Sequence, residues 1–305
     1  MKVDSLIILL LVLFSLSGCN EQNKSTVEAK ETTSPAENSW QISSSVKWLE
    51  NQGLINVESI IYDESNQVFY ATSGLSYSLG TSGFISKISK TGVLEELKWI
   101  SDLNRPTGMA IRDSLLYVAD VNTLVVINTR NGAIIDKHME SVPNSGLNDV
   151  AISEKGEVYV SASFIHSIFK LNEGKLNLFI KDEEALKWAN GLTIVDNKLY
   201  VAGLTLSTID LEAIKLSSIQ LNPEAKDFDG IVSDGEHGFF VTTVENSSLF
   251  HINKEKEVAK LLTEDIYFGD IDFNPQSRNI YVPRGNRKTN EFYISVFNLN
   301  KIGNK

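Results

Sequence analysis

Four side chains with oxygen donors recur at one place in a repeated phrase of this sequence. Glu58, Asn148, Asn190 and Asp229 each begin such a phrase, shortly before a run of apolar residues. Carboxylate and amide oxygens are the ligands that Ca²⁺ and other hard divalent cations prefer. Two acids held close together raise each other's pKa, and a bound cation would offset that repulsion. The four residues therefore predict a cation site, although Asn-Gly and Asp-Gly pairs are also ordinary turn signals.

The phrase that contains these residues occurs six times. It consists of a polar or small residue, a few mostly apolar residues, a polar turn and a strand rich in β-branched and aromatic residues. Its copies begin at Glu58, Thr107, Asn148, Asn190, Asp229 and Gly269. The starts are 49, 41, 42, 39 and 40 residues apart, which is the length of a four-stranded propeller blade. The sequence therefore predicts an all-β fold, a six-bladed β-propeller.

Each phrase supplies two antiparallel strands, and we expect the inner strand to begin at the first residue of the phrase. Two further strands follow in most repeats, such as 167–171 and 176–180. After a strand at 293–299 the chain ends, so the last blade needs a fourth strand from elsewhere. We expect an N-terminal strand near residues 46–49 to complete blade six, which closes the ring and leaves no long open edge.

The innermost strands of a propeller run along its central channel, so the six residues that open them should converge at one mouth. The order Glu, Asn, Asn, Asp in blades one, three, four and five, with Asn148-Asp149, Asn190-Gly191 and Asp229-Gly230, resembles the senescence marker protein/gluconolactonase family. Diisopropylfluorophosphatase-like phosphotriesterases and paraoxonases are similar. The resemblance covers residues 46–299.

The resemblance implies that Glu58, Asn148, Asn190 and Asp229 hold a divalent metal, usually Ca²⁺. It also implies that Asp229 is the catalytic carboxylate, which activates water or attacks directly beside the metal. Asp149 would orient Asn148, or would simply be a turn residue at the start of a strand.

The sequence also departs from the family pattern. Sugar lactonases of this family often carry an arginine two residues before the blade-three Asn, and this chain has Gly146 there. Candidates for substrate contact are instead Arg105, Thr107, His166, Arg284 and Arg287, with solvated loop charges as the alternative for the arginines. The Gly/Ser-rich stretch 72–84 in blade one is either a lid over the mouth or a plain long hairpin.

The N-terminus predicts export and a lipid anchor. Residues 1–18 combine Lys2 with an apolar run too short for a membrane span, and Leu-Ser-Gly precedes Cys19, the one cysteine of the chain. This run resembles the bacterial lipobox, in which the cysteine is lipidated. Asn20 favours the outer membrane, on the periplasmic or surface side. Residues 19–39 are polar and predict a disordered tether, and residues 40–305 form the propeller.

The composition of the chain limits the classes of molecule that it can bind. The chain has 42% hydrophobic and 22% charged residues, which is typical of a globular protein, and a formal net charge of −11. That charge argues against nucleic acid and favours cations and small molecules. The leading hypothesis is a metal-dependent hydrolase of lactones or related esters. The alternative is a non-catalytic propeller that binds a small ligand or a protein and keeps a structural metal in its channel. The sequence identifies no protein partner.

Overall fold

The computed structural model describes residues Ser39–Ile302, and these form a six-bladed β-propeller, as the repeats predict. The predicted signal peptide (1–18), Cys19 and nearly all of the predicted tether (19–39) lie outside the described residues. Strand β1 begins at Ser39, the last residue of that predicted tether. No helix among the described residues has the length and apolar character needed to cross a membrane.

Five blades are four-stranded antiparallel sheets formed by consecutive strands. Blade one contains β2 (Ile60–Asp63), β3 (Val68–Ser73), β4 (Gly83–Ser89) and β5 (Leu94–Leu103). Blade two contains β6 (Pro106–Arg112), β7 (Leu115–Asp120), β8 (Thr123–Asn128) and β9 (Ile134–Met139). Blade three contains β10 (Leu147–Ile152), β11 (Val158–Ala162), a short 3₁₀ helix (Ser163–Ile165), β12 (Ser167–Asn172) and β13 (Lys175–Lys181).

Blade four contains β14 (Leu192–Val195), β15 (Lys198–Val201), β16 (Ser207–Asp210) and β17 (Lys215–Ser218). Blade five contains β18 (Phe228–Ser233), β19 (Phe239–Thr243), β20 (Ser248–Ile252) and β21 (Val258–Thr263). Blade six contains β22 (Tyr267–Phe268), β23 (Asp272–Asn274), β24 (Asn279–Asn286) and β25 (Glu291–Ile302).

The N-terminal strand closes the ring, as predicted. Strand β1 (Ser39–Trp48) pairs antiparallel with β25, from Ser39 opposite Ile302 to Trp48 opposite Ile294. It begins seven residues earlier than the predicted strand at 46–49, and it becomes the outer strand of blade six. Each inner strand begins at one end of the channel, which we call the mouth; Ser39 and Ile302 lie at the other end, which we call the base.

Apolar side chains from neighbouring blades fill the space between them. Trp40 of β1, for example, packs edge-on against Phe240 of blade five and Phe273 of blade six, with ring centroids 5.5 and 5.9 Å apart. Each large aromatic side chain removes 150–250 Å² from water, so such contacts stabilise the ring strongly. The blades are thereby held in fixed positions around the channel.

Candidate functional site

The residues that begin the repeats sit in short irregularities of the inner strands rather than at regular strand starts. In blades two, three and five the pairing with the second strand shifts, for instance between Leu147 and Val150. The prediction that each inner strand starts at the first residue of its phrase is therefore wrong in detail. Asn190 precedes the regular strand β14 by two residues, and Asn148 lies inside β10 at the shift. A bulge of this kind re-aims side chains.

A hydroxyl group from the second strand supports the irregularity in alternate blades. Thr72, Ser161 and Thr242 accept hydrogen bonds from the backbone amides of Ser59, Asp149 and Gly230, at 3.0, 2.8 and 2.9 Å. These amides have left the regular ladder and would otherwise be buried without a partner. The small polar residues of the second strands therefore help to hold the mouth in shape.

Asp229 is the most deeply buried of the four predicted ligands, with 3% of its surface exposed. Its Oδ1 accepts a hydrogen bond of 2.6 Å from the side-chain amide of Asn190, and its other oxygen has no donor among the described residues. Burial, followed by the charges of Glu58 and Asp270, raises the pKa of Asp229 well above its usual value. Asp229 is thus a buried acid with few partners.

Glu58 is partly buried and is paired with the predicted substrate residue Arg105. The Arg105 guanidinium donates to Glu58 Oε2 at 2.6 Å and to the Asn56 carbonyl at 2.9 Å. The backbone amide of Arg105 donates in turn to Asp120 at 2.7 Å. Arg105 is 5% exposed, and its charge is already paired with Glu58 rather than free to contact a substrate. Sequence reasoning missed this pair, because the two residues come from different blades.

Asn148, Thr107 and Asn190 are connected through blade three. Thr107 Oγ1 donates to the backbone carbonyl of Asn148 at 2.6 Å, so the substrate candidate Thr107 is engaged in joining blades two and three. The side-chain amide of Asn148 donates to Ser163 at 3.1 Å, and Ser163 donates to the carbonyl of Ala189, the neighbour of Asn190, at 2.7 Å. These bonds connect Asn148 to blade two and to the residue that precedes Asn190 in blade four.

Asp149 joins two blades. Its carboxylate accepts the amides of Val150, in its own strand, at 2.7 Å and of Leu192, in blade four, at 2.6 Å. No hydrogen bond among the described residues joins this carboxylate to the side chain of Asn148, which it was predicted to orient. Burial, followed by the charge of Asp270, raises the pKa of Asp149 well above its usual value.

Asp270 and Tyr267 are two residues of the mouth that the sequence reasoning missed. Asp270 accepts from Ser59 of blade one at 2.9 Å and has a pKa raised to about 7, mainly by burial. The sequence did indicate Asp270, because Gly269-Asp270 occupies the same position in its repeat as Asn148-Asp149. The Tyr267 hydroxyl is buried without a hydrogen-bond partner among the described residues, and burial and then Glu58 and Asp229 raise its pKa.

Of the three remaining substrate candidates, Arg287 lies 4.4 Å from the ring centroid of Tyr267 at the mouth, whereas Arg284 and His166 are engaged elsewhere. Arg284 is 3% exposed, pairs with Glu264 and Ser295, and lies 4.4 Å from the Phe268 ring centroid. Its charge is therefore already satisfied within blade six and its surroundings. His166 ends the short 3₁₀ helix with its Nδ1 3.0 Å from the Ser163 carbonyl and 3.2 Å from the Trp188 amide nitrogen.

The long blade-one loop reaches across the mouth. Tyr77 of this loop donates a hydrogen bond to the Leu147 carbonyl of blade three, and its ring packs edge-on against Phe164 with centroids 5.3 Å apart. Burial, and next the charge of Glu58, raises the pKa of Tyr77. The geometry favours the lid interpretation over a plain hairpin.

The mouth offers an oxygen-rich set of donors that suits a hard cation. Among residues 39–302 no group of three or more His, Cys, Asp or Glu side chains is arranged to hold a metal ion. The predicted set contains two carboxylates, Glu58 and Asp229, and two carboxamides, Asn148 and Asn190. It therefore does not count as such a group, although all four side chains offer oxygen ligands. One oxygen of Asp229 and the buried Tyr267 hydroxyl lack protein partners in the described chain, which is the situation that a bound species would relieve. The oxygen donors of the mouth therefore fit a hard divalent cation such as Ca²⁺.

Comparison with solved structures supports the fold. A gluconolactonase from Xanthomonas campestris has a TM-score of 0.66 at 10% identity, over 85% of this chain and 91% of that one. A virginiamycin B lyase from Staphylococcus aureus has 0.61 at 11% identity, over 87% and 100%. A luciferin-regenerating enzyme has 0.60 at 14% identity, over 83% and 95%. No family model and no curated protein matches the chain. At such identities the likeness shows a propeller fold.

Proposed function

We propose that this protein is a hydrolase of lactones or related esters that works with Ca²⁺ or another hard divalent cation. Glu58, Asn148, Asn190 and Asp229 would hold the cation. The observation that carries the proposal is the state of Asp229, a carboxylate 3% exposed that has one hydrogen-bond donor and a raised pKa. Strongly perturbed acids in a cleft are typical of functional sites. The similarity of the fold to a gluconolactonase supports the reaction class.

The residues of the mouth have separate tasks in this proposal. Asp229 accepts the proton of the attacking water or attacks the carbonyl carbon itself, and the Asn190 amide, 2.6 Å from its Oδ1, fixes its orientation. Arg105 balances the charge of Glu58 and keeps that side chain at the mouth. A bound cation would polarise the substrate carbonyl and stabilise the negative charge that develops on its oxygen.

The cation is tested first. Purified protein, stripped with chelator, should gain thermal stability when Ca²⁺ is added, because the ligand binds only the folded state. Asn190→Ala should weaken that gain. Asp234→Asn, a change of a buried acid at the base, should leave the gain intact and serves as the matched control. A wild-type melting temperature indifferent to Ca²⁺, Mg²⁺ and Mn²⁺ would contradict the site.

The reaction is tested on a panel of lactones, aryl esters and phosphotriesters. Turnover should require the cation, and Asp229→Asn should lower kcat/KM by at least about 10³-fold while the circular dichroism spectrum and melting curve remain those of a folded propeller. Full activity in Asp229→Asn would contradict the assigned role.

A non-catalytic binding propeller is the second candidate. The observation that favours it is a set of exposed apolar side chains on the mouth face, Leu75, Leu79, Phe164, Trp188 and Val244, each about half exposed or more. Such surfaces mark binding sites. If no substrate of the panel is turned over although the cation still binds, the result would favour this function.

Cys19 is the basis of a proposal on location. We propose that the chain is exported and anchored to the outer membrane through a lipid on Cys19, on the lipobox-like run that precedes it. Cells that express the full chain and are fed radioactive palmitate should label it and keep it in the membrane fraction. Cys19→Ser should lose both the label and the membrane association. Equal membrane retention of Cys19→Ser would contradict the anchor.

A further inference from the structure

A pocket lies at the rim of the mouth between blades one, two and three, and we call it the rim pocket. It encloses about 400 Å³, and the apolar part of its wall comes from Tyr77, Leu79, Val121, Met139, Pro143 and Phe164. Leu79, Met139 and Phe164 are 65%, 66% and 52% exposed, although they are among the most apolar side chains of the protein. Three such residues around one concave site mark a binding surface.

The charge of the rim pocket restricts its ligand. Glu140 is the one charged residue in its wall, and its carboxylate accepts hydrogen bonds from the hydroxyl and the amide of Ser145. Among the described residues, the wall contains no lysine, arginine or histidine. An anionic ligand would be repelled by Glu140 and would meet no cation in this wall, whereas a neutral ligand is not repelled.

Gly146 shows why one wall of the rim pocket is aromatic. Its φ is +68°, and a Cβ atom placed on it would come within 2.7 Å of the Phe164 ring. The ring therefore covers the position from which a longer side chain would project. Tyr77 packs edge-on against the same ring. The two aromatic rings form one apolar wall, and no polar side chain at residue 146 interrupts it.

The rim pocket adjoins the residues of the mouth. Gly146 lines the pocket, Leu147 accepts the hydrogen bond of Tyr77, and Asn148 follows directly as a predicted cation ligand. A molecule whose reactive group lies near Asn148 can thus place a substituent in the rim pocket, against Tyr77 and Phe164.

We propose that the rim pocket binds the alkyl or aryl substituent of a neutral amphiphilic ligand, so that the substrates are apolar lactones or esters rather than sugar lactones. The part concerning reaction rests on the proposed hydrolase function, whereas the part concerning binding does not. Each buried methylene should strengthen binding by about three- to fourfold until the pocket is full.

Binding is tested with the neutral fluorescent probe N-phenyl-1-naphthylamine. The purified protein should bind it, and Leu79→Ser and Phe164→Ala should each weaken its Kd by at least about fivefold. Val93→Ser is the matched control, because Val93 is 62% exposed in a turn at the base, against 65% for Leu79. Equal Kd values in all four proteins, or no binding to the wild type, would overturn the proposal.

Selectivity is tested with γ-lactones whose alkyl chain grows from none to eight carbons. The kcat/KM should rise about threefold per methylene in the wild type and in Val93→Ser, and the rise should flatten in Phe164→Ala. If no lactone is hydrolysed but long-chain lactones displace the probe more strongly than short ones, the pocket stands and the hydrolase function fails. A preference for gluconolactone that Leu79→Ser and Phe164→Ala leave unchanged would overturn the pocket and keep the hydrolase.

Discussion

Blade five carries a buried acid at each end of its inner strand, and the two acids behave in opposite ways. Asp229 lies near the start of β18 at the mouth, and Asp234 follows the strand's last residue at the base. They are 3% and 6% exposed. Burial, with the charge of Glu58, raises the pKa of Asp229. Burial also acts to raise the pKa of Asp234, but hydrogen bonds from His251 and from the amides of Glu236 and Gly238 outweigh it and lower that pKa.

The hydrogen-bond partners explain the difference. Asp234 accepts from His251 Nε2 at 2.8 Å and from the amides of Glu236 and Gly238 at 2.7 and 2.9 Å. Asp229 accepts from Asn190 and faces other acids. The base acid accepts three hydrogen bonds from its protein neighbours, whereas the mouth acid accepts one; we propose that a bound cation compensates the mouth acid. Burial alone therefore does not identify a functional acid; an unmet need for positive charge or donors does.

Cavity size alone does not favour the mouth. A cavity of about 810 Å³ lies at the base and is lined by Asp234, His251 and Trp40 among others. It is larger than the rim pocket of about 400 Å³. Its buried acid is nevertheless fully hydrogen bonded, and His251 packs against the ring of Phe240 with centroids 5.1 Å apart. We therefore interpret the pair of Asp234 and His251 as structural.

Asp234→Ala should produce the largest effect, a loss of about 3 to 5 kcal/mol in the free energy of unfolding, because it leaves His251 and two backbone amides without their buried acceptor. Urea unfolding followed by circular dichroism at neutral pH measures it. Glu183→Ala, which removes an exposed ion pair with Lys181, is the control and should cost less than about 1 kcal/mol. A loss below about 1 kcal/mol for Asp234→Ala would mean that the pair of Asp234 and His251 contributes little to stability.

The pH dependence of stability should follow the acids of the channel wall. Burial raises the pKa of Asp272 to about 6 and that of Asp270 to about 7. Between about pH 4 and those values the folded protein holds protons that the unfolded chain has released, so stability falls as pH rises. With chelator present, we expect a loss of about 3 to 4 kcal/mol from pH 5 to pH 7.

Two variants separate the contributions to that profile. Asp272→Asn should flatten its lower part, because the titrating group is gone while its acceptor oxygen for the Tyr62 amide remains. Asp234→Asn should leave the slope between pH 5 and pH 7 unchanged, because the lowered pKa of Asp234 confines its titration to more acidic solution. Stability that is constant or rises over this range would show that the channel acids are better compensated than their contacts indicate.

The blade count, the ring closure and the mouth residues were predictable from sequence because they depend on local patterns. The inner strands repeat every 39 to 49 residues, so the phase of Asn148, Asn190 and Asp229 in the repeat reveals their common end. The missing outer strand of blade six likewise implied β1. These inferences need only strand alternation and spacing.

The partners of individual side chains were not predictable in the same way. Arg105 and Glu58 are 47 residues apart and meet only because blades one and two pack together. Asp149 was expected to orient its neighbour Asn148, but its carboxylate bonds to the next blade at Leu192. Arg284 was expected to contact substrate or to be a solvated loop charge, but it is buried in strand β24 and pairs with Glu264. Each outcome depends on packing between segments far apart in the chain.

Asp229→Asn should give the smallest effect, and of the opposite sign: a gain of about 1 kcal/mol in the stability of the chelator-treated protein. The change removes a charge repelled by Glu58 and Asp270, while the new carboxamide oxygen still accepts from Asn190. Asp234→Asn, the same chemical change at the other end of β18, should instead lower stability. Urea midpoints of both variants measure this. If Asp229→Asn also destabilises the chelator-treated protein, Asp229 is a structural acid like Asp234, and the contrast between mouth and base fails.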